Sequence, residues 1–340
     1  MKKIISILLL SSLFIGVLVG CGNESNKSEN ATTKTENIEE SNKEANKKTD
    51  NVLRIGYFKG SAQIEIAKED KLFEKYFGDD VKVEYQEFLI GPPMIEGLIS
   101  GQLDLAITGD QPPITAIANK QPIEIIGKAA VSDKSMAFLV STDSDIKKPE
   151  DLKGKNIGVA KGTSLEYFAV KYLEKYGISK NDVNFINLTT GEDTGASLAS
   201  KKIDAGVTSI ITAKLLEQGG QGIILGTTEG LITTISPILT SKEFREKNVE
   251  KCKNFLKLIN EVQEISKNEK DRVINIIAEK SEINKSAAEY SYNDKTGVLL
   301  DDTDIDIFYN LYSFLKENNI VKNELKKEDI YTEILKKGEL

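Results

Sequence analysis

Two short stretches bring a lysine, a glycine and hydroxyl side chains to places where an extended run gives way to a helical one: Lys59-Gly60-Ser61 and Lys161-Gly162-Thr163-Ser164. The first amides of a helix lack intrahelical acceptors and carry a partial positive charge. Glycine lets an oxyanion approach the backbone, and a Ser or Thr hydroxyl either caps the helix or donates to a ligand. Gly60-Ser61, with Gln63 in the turn that follows, and Gly162-Thr163-Ser164 thus read as two anion cradles. Singly, each is more often a plain helix cap; the anion reading rests on their occurring twice at matched positions. Neither is a nucleotide loop, because a Walker A lysine follows its glycine whereas Lys59 and Lys161 precede theirs. These lysines are expected on solvated surface or at a cleft rim.

Thr108-Gly109-Asp110 and Thr208-Ser209 form a second pair at strand ends. Asp110, followed by Gln111-Pro112-Pro113, fits a helix N-cap with proline in the first turn. A desolvated carboxylate facing an anionic head would repel it, so an Asp110 that touches ligand should meet an amine or a hydroxyl. Tyr57, Phe58 and Tyr167 read either as the lining of an apolar tail pocket or as core.

Nucleophilic catalysis has little to work with. The chain contains no histidine, which removes Ser-His-Asp and Cys-His chemistry and most zinc or iron sites. It has two cysteines, Cys21 and Cys252, and Cys252 lies in an apolar-periodic stretch where it reads as a small buried hydrophobe. No metal and no cofactor is expected. The net charge of −8 offers no basic face for a nucleic acid, and any anion must be held by local dipoles.

The elements that position these loops alternate. Val52–Tyr57 reads as strand, Ser61–Phe77 as helix, Val81–Tyr85 as strand, Pro92–Ser100 as helix and Leu103–Ile107 as strand. This βαβαβ order predicts an α/β fold with a mostly parallel sheet. The order then recurs. Ile55-Gly56-Tyr57-Phe58-Lys59-Gly60-Ser61 returns as Ile157-Gly158-Val159-Ala160-Lys161-Gly162-Thr163. Glu74-Lys75-Tyr76 matches Glu174-Lys175-Tyr176, Gly91 matches Gly191, Leu103-Asp104 matches Ile203-Asp204 and Thr108 matches Thr208. A shared order at near-constant offset predicts two lobes of one plan, whose strand-end loops meet at one cleft. Past residue 250, Phe255, Leu258, Ile259, Val262 and Ile265, then Ile307, Leu311 and Leu315, recur at helical spacing and predict a core-facing helical region.

The N-terminus carries an address. Lys2 and Lys3 precede an apolar run from Ile4 to Val19, shorter than a bilayer span of about 20 residues. The run ends in Leu18-Val19-Gly20-Cys21, which resembles a bacterial lipobox and implies cleavage before Cys21 and lipidation of that residue. The alternative is an uncleaved anchor. Residues 22–50 hold no aromatic and one branched aliphatic, Ile38, so residues 21–51 are expected to form a lipidated, disordered tether reaching roughly 30 Å. The expected place is outside the cytoplasm, anchored to the cell membrane.

Arg54-Ile-Gly-Tyr-Phe-Lys-Gly-Ser61, Gly91-Pro-Pro-Met-Ile-Glu-Gly-Leu98, Ser100-Gly-Gln-Leu-Asp104 and Thr108-Gly-Asp-Gln-Pro-Pro113 resemble the aliphatic-sulfonate-binding proteins of ABC transporters, relatives of the taurine, nitrate and thiamine-pyrimidine-precursor binders. Asp151-Leu-Lys-Gly-Lys155 and Val159-Ala-Lys-Gly-Thr-Ser164 resemble the start of that family's second lobe. The resemblance implies a type II periplasmic-binding-protein fold, with lobe 1 over 52–139 plus 236–340 and lobe 2 over 140–235. It implies a small organic anion as ligand, an aliphatic sulfonate first, held by Gly60, Ser61, Gln63, Thr108, Gly109, Asp110, Gly162, Thr163, Ser164 and Ser209. Partner permease and ATPase subunits would be separate chains, and the binding protein a monomer. One departure stands out. The family carries a Trp- and Asp-containing stretch after its second Ile/Val-Asp-Ala, where this chain has Gly206-Val-Thr-Ser-Ile-Ile211 and no tryptophan anywhere, which implies a pocket changed in size and charge on that side. An extracellular enzyme and a signalling receptor are the readings of other classes. A neighbouring permease gene would favour transport and a neighbouring sensor kinase would favour signalling.

Overall fold

The computed structural model describes residues 51–293, 295 and 297–340. The apolar leader, Cys21 and the expected tether lie outside these residues, apart from Asn51. The first stretch runs β1 (Val52–Phe58), α1 (Ala62–Glu69), α2 (Leu72–Phe77), β2 (Lys82–Phe88), α3 (Pro92–Ile99), β3 (Leu105–Ile107), α4 (Gln111–Ala118) and β4 (Ile123–Ser132). The second runs β5 (Met136–Val140), β6 (Asn156–Val159), α5 (Ser164–Lys175), β7 (Asn184–Asn187), α6 (Thr194–Ala199), β8 (Ala205–Ser209), α7 (Ile210–Gln218) and β9 (Ile223–Thr227). The chain then returns through β10 (Thr234–Ser241) to α8 (Lys242–Lys247), α9 (Val249–Asn268), α10 (Lys270–Lys280), α11 (Lys285–Ser291) and α12 (Asp302–Glu317).

Two five-stranded sheets result, in the orders β2-β1-β3-β10-β4 and β7-β6-β8-β5-β9. In each, four strands run one way and the fourth in the order runs against them, as the antiparallel pairings of β10 and β5 require. The two sheets share one strand arrangement; the first is completed by β10 after the chain returns, whereas the five strands of the second are consecutive.

The repeat has a physical basis in small residues. A Cβ on Gly56 would come within 2.6 Å of Leu103 Cδ1, and one on Gly158 within 2.6 Å of Ile203 Cδ1. The third-strand leader packs directly on the first strand in both lobes, and only glycine leaves room. Beside it, Asp104 Oδ2 accepts the Arg54 amide at 2.7 Å and Asp204 Oδ2 accepts the Asn156 amide at 2.7 Å. In both lobes a first-strand amide is satisfied by the aspartate that precedes the third strand.

Ser61–Phe77 is two helices instead of one. Lys71 takes a left-handed φ of 54° between them, and Arg272 on α10 holds the Asp70 carboxylate, with Nη1 at 3.0 Å and Nη2 at 2.5 Å. The break turns Leu72 and Phe73 into the core, a gain that periodicity alone does not reveal.

The expected lobe boundary at 139/140 falls inside β5. Because Met136–Val140 pairs with β8 and β9, the chain crosses between sheets over 133–135 and returns over 228–233. The crossings are tied together: Thr228 Oγ1 accepts the Ser135 amide at 3.0 Å and donates to Asp133 O, and Thr234 Oγ1 donates to Ser132 O at 3.1 Å.

The C-terminal helices cover the first sheet. Phe255, Leu258, Ile259 and Val262 of α9 join one core cluster, and Phe308, Leu311 and Leu315 of α12 join another on the opposite side. Cys252 is fully buried in the first, and burial pushes its thiol up to about 12. A thiol held protonated is a poor nucleophile. Native protein treated with iodoacetamide at pH 8 should leave Cys252 unmodified on peptide mapping, with modification appearing once denaturant is added; rapid native labelling would contradict this packing. Among the described residues, no helix is long and apolar enough to cross a membrane.

Candidate functional site

The strand-end loops of both sheets enclose a cavity of about 380 Å³. The matched turns have matched geometry: Gly60 and Gly162 adopt φ of 76° and 75°, a conformation glycine takes without strain. Their roles differ. Gly60, Ser61 and Gln63 line the cavity from the first lobe, with Ser61 Oγ donating to Gln63 Oε1 at 3.1 Å. Gly162 does not line it. Gly162 is exposed, and its amide donates to Glu166 Oε2 at 2.8 Å, so a carboxylate one turn into α5 already occupies that cradle. The next two residues do line the cavity. Thr163 caps α5 by accepting the Leu165 amide, and Ser164 reaches across the gap.

Thr108 is also outside the lining. It is fully buried and its hydroxyl donates to Gly109 O at 2.6 Å. Its counterpart Thr208 does line the cavity, and its Oγ1 is buried without a hydrogen-bond partner among the described residues. Ser209 lines the site while capping α7, where it accepts the Thr212 amide at 3.1 Å. Lys59 is exposed at the rim, and Lys161 is exposed away from it.

Gly109 and Asp110 sit where the lobes touch. Asp110 occupies the expected N-cap position of α4, but its side chain makes no capping hydrogen bond there. Its Oδ1 accepts the Ser164 hydroxyl at 2.5 Å, and the Gln111 amide also faces that hydroxyl at 3.4 Å. Asp110 is 1% exposed. Burial pushes its carboxyl up to about 6, opposed by the Ser164 hydroxyl and by the amides of Ile235, Asp110 and Gln111. The proline pair at 112–113 has no N–H to donate, so this helix start is poor in donors.

The apolar wall comes chiefly from lobe 1. Phe58, Phe88 and Leu89 line the cavity, with Leu89 49% exposed at its mouth. Tyr57 is core, and Tyr167 packs on Phe314 of α12 with ring centroids 4.8 Å apart, a lobe-to-lobe contact. Sequence reasoning passed over Gly91 and Gly191, which both line the cavity and whose matched positions were a usable signal. It had no signal for Ser281, which arrives from the C-terminal helices outside the repeat.

Two topologically equivalent sheets closed over one cavity at their strand ends define a periplasmic-binding-protein fold. The alkanesulfonate-binding protein SsuA from Xanthomonas axonopodis pv. citri bound to MOPS shares it, with a TM-score of 0.71 at 24% identity over 82% of this chain and 95% of that one. The chain belongs to the NMT1/THI5-like family, whose profile matches residues 74–269. It is 31% identical to the "Putative aliphatic sulfonates-binding protein" of Escherichia coli (strain K12), over 66% of this chain and 70% of that protein. The protein of the same name from Bacillus subtilis (strain 168) is 28% identical over 70% and 72%.

Proposed function

We propose that this protein is the membrane-anchored solute-binding component of an ABC importer, working outside the cytoplasm and closing its lobes around a small organic anion, an aliphatic sulfonate foremost. The observation that carries the reading is the cavity itself: helix starts and hydroxyls at Ser61, Thr163, Ser164 and Ser209 from both lobes, facing an apolar wall of Phe58, Phe88 and Leu89. A sulfonate head suits short-range donors without a strong counter-charge, and an alkyl tail suits the wall. The names of the relatives agree with this chemistry. Lipidation at Cys21 supplies the anchor, and separate permease and ATPase chains receive the closed form. The ligand stabilises closure by its differential affinity for the closed state.

Thermal unfolding against methanesulfonate, ethanesulfonate, taurine, nitrate, bicarbonate and a hydroxymethylpyrimidine tests the assignment. At a hundredfold excess over Kd, a true ligand adds about 2.7 kcal/mol and raises Tm by several degrees. The alkanesulfonates should do so and nitrate should not. A rise with the pyrimidine alone would replace the assignment, and no rise with any of them would remove the anion reading.

A further inference from the structure

The cleft holds a carboxyl group that its expected ligand should not tolerate in ionised form. Asp110 lines the cavity, is 1% exposed, and has no Lys or Arg within ion-pair distance among the described residues. Its Oδ1 is engaged by Ser164 from the other lobe, so the carboxyl lies where the two lobes meet. An anion sealed into the same space would face a desolvated negative charge. A ligand ammonium could neutralise that charge only by touching it, and the closed lobes leave almost none of this carboxyl exposed to touch.

Resting on the anion reading above, we propose that Asp110 takes up one proton from solvent as the lobes close on the ligand, so that anion and proton are captured together. The uptake balances simply: open protein, anion and proton combine into one closed complex, with the proton on the Asp110 carboxyl. The other ionisable groups facing this space do not substitute for it. Lys59 of the β1–α1 turn and Glu192 of the 191–193 turn are exposed at the rim. Tyr167 on α5 is pushed up to about 12 by burial and then by the Asp110 charge, so its phenol stays neutral. The remaining neighbours, Ser164, Gln111, Pro112 and Ile235, do not titrate. Burial pushes this carboxyl up to about 6, which agrees with the direction.

Isothermal titration with ethanesulfonate, whose charge is constant above pH 2, tests this from pH 5.5 to 8.5 in buffers of different ionisation enthalpy. Affinity should weaken as pH rises above 6, approaching about tenfold per unit, with uptake nearing one proton per ligand. Asp110→Asn, nearly isosteric, should abolish the slope and the uptake and bind about tenfold or more tightly than the native protein at pH 8. Measurable binding with no pH dependence, or a slope retained in Asp110→Asn, overturns the proposal while leaving the anion reading intact. Affinity that rises with pH overturns it in favour of an ionised Asp110 paired with a donor. No binding at pH 5.5, where the carboxyl is neutral, counts against both.

Discussion

Gly109→Leu is expected to weaken ligand binding by about ten- to a hundredfold, reflecting the roughly 1–3 kcal/mol of overpacking that it imposes on closure. A Cβ at position 109 would lie 2.9 Å from Ser164 Oγ, the nearest heavy atom in the opposing lobe. Its remaining atoms would have to push α5 away from α4. With the lobes apart the same side chain has open space, and the backbone at Gly109 is not in the left-handed region. Denaturant midpoints should therefore move little, within about 0.5 kcal/mol. Removing the opposing atoms separates closure from direct ligand contact. Gly109→Leu combined with Ser164→Gly should recover much of the lost affinity, although it also forfeits the hydroxyl that Asp110 accepts. Titration calorimetry on the four proteins of this cycle gives the answer, and small-angle scattering should show the single variant staying open with ligand. A Gly109→Leu protein that binds and closes normally would mean the lobes meet elsewhere.

The second large effect concerns the support of the cleft. Lys128 on β4 donates to Asp304 at the start of α12, and the two residues are 7% and 4% exposed. Asp304 also accepts the Asp301 amide at 2.9 Å, and Gln263 donates to the Lys128 and Ala129 carbonyls at 3.1 and 3.0 Å. The pair and the Gln263 bonds together fix two C-terminal segments, α9 and the start of α12, to the strand that leads into the first crossing. Lys128→Met should cost about 3–5 kcal/mol in urea unfolding, since it leaves a buried carboxylate without its cation. Adding Asp304→Asn removes the stranded charge while keeping an acceptor for Asp301, and should restore most of that loss. A single-variant cost below about 1 kcal/mol would show that water reaches the pair.

Much of this architecture is legible in the sequence. Alternation of strand and helix, the twice-used glycine turns and the Asp that follows Leu103 or Ile203 are local devices, each acting over a few residues of backbone. They foretold two equivalent sheets, and Gly60 and Gly162 do adopt the same dihedral. What such devices cannot tell is which groups the cleft receives. The Gly162 amide is spent on Glu166, a choice of side-chain rotamer that a matched turn does not constrain. Thr108 and Thr208 occupy equivalent positions, yet only the second lines the cavity, because the loops around them differ.

The amino-acid sequence by itself determined the elements, the duplicated plan and the absence of histidine-based chemistry, because backbone propensity, glycine tolerance and composition are properties of short segments. The tertiary structure alone decided that the Asp110 side chain at the start of α4 meets Ser164, 54 residues away, that Ser281 joins the lining, and that the crossing runs over 133–135. Those outcomes depend on how the two sheets approach each other, and the burial that raises the Asp110 carboxyl exists only in the assembled fold.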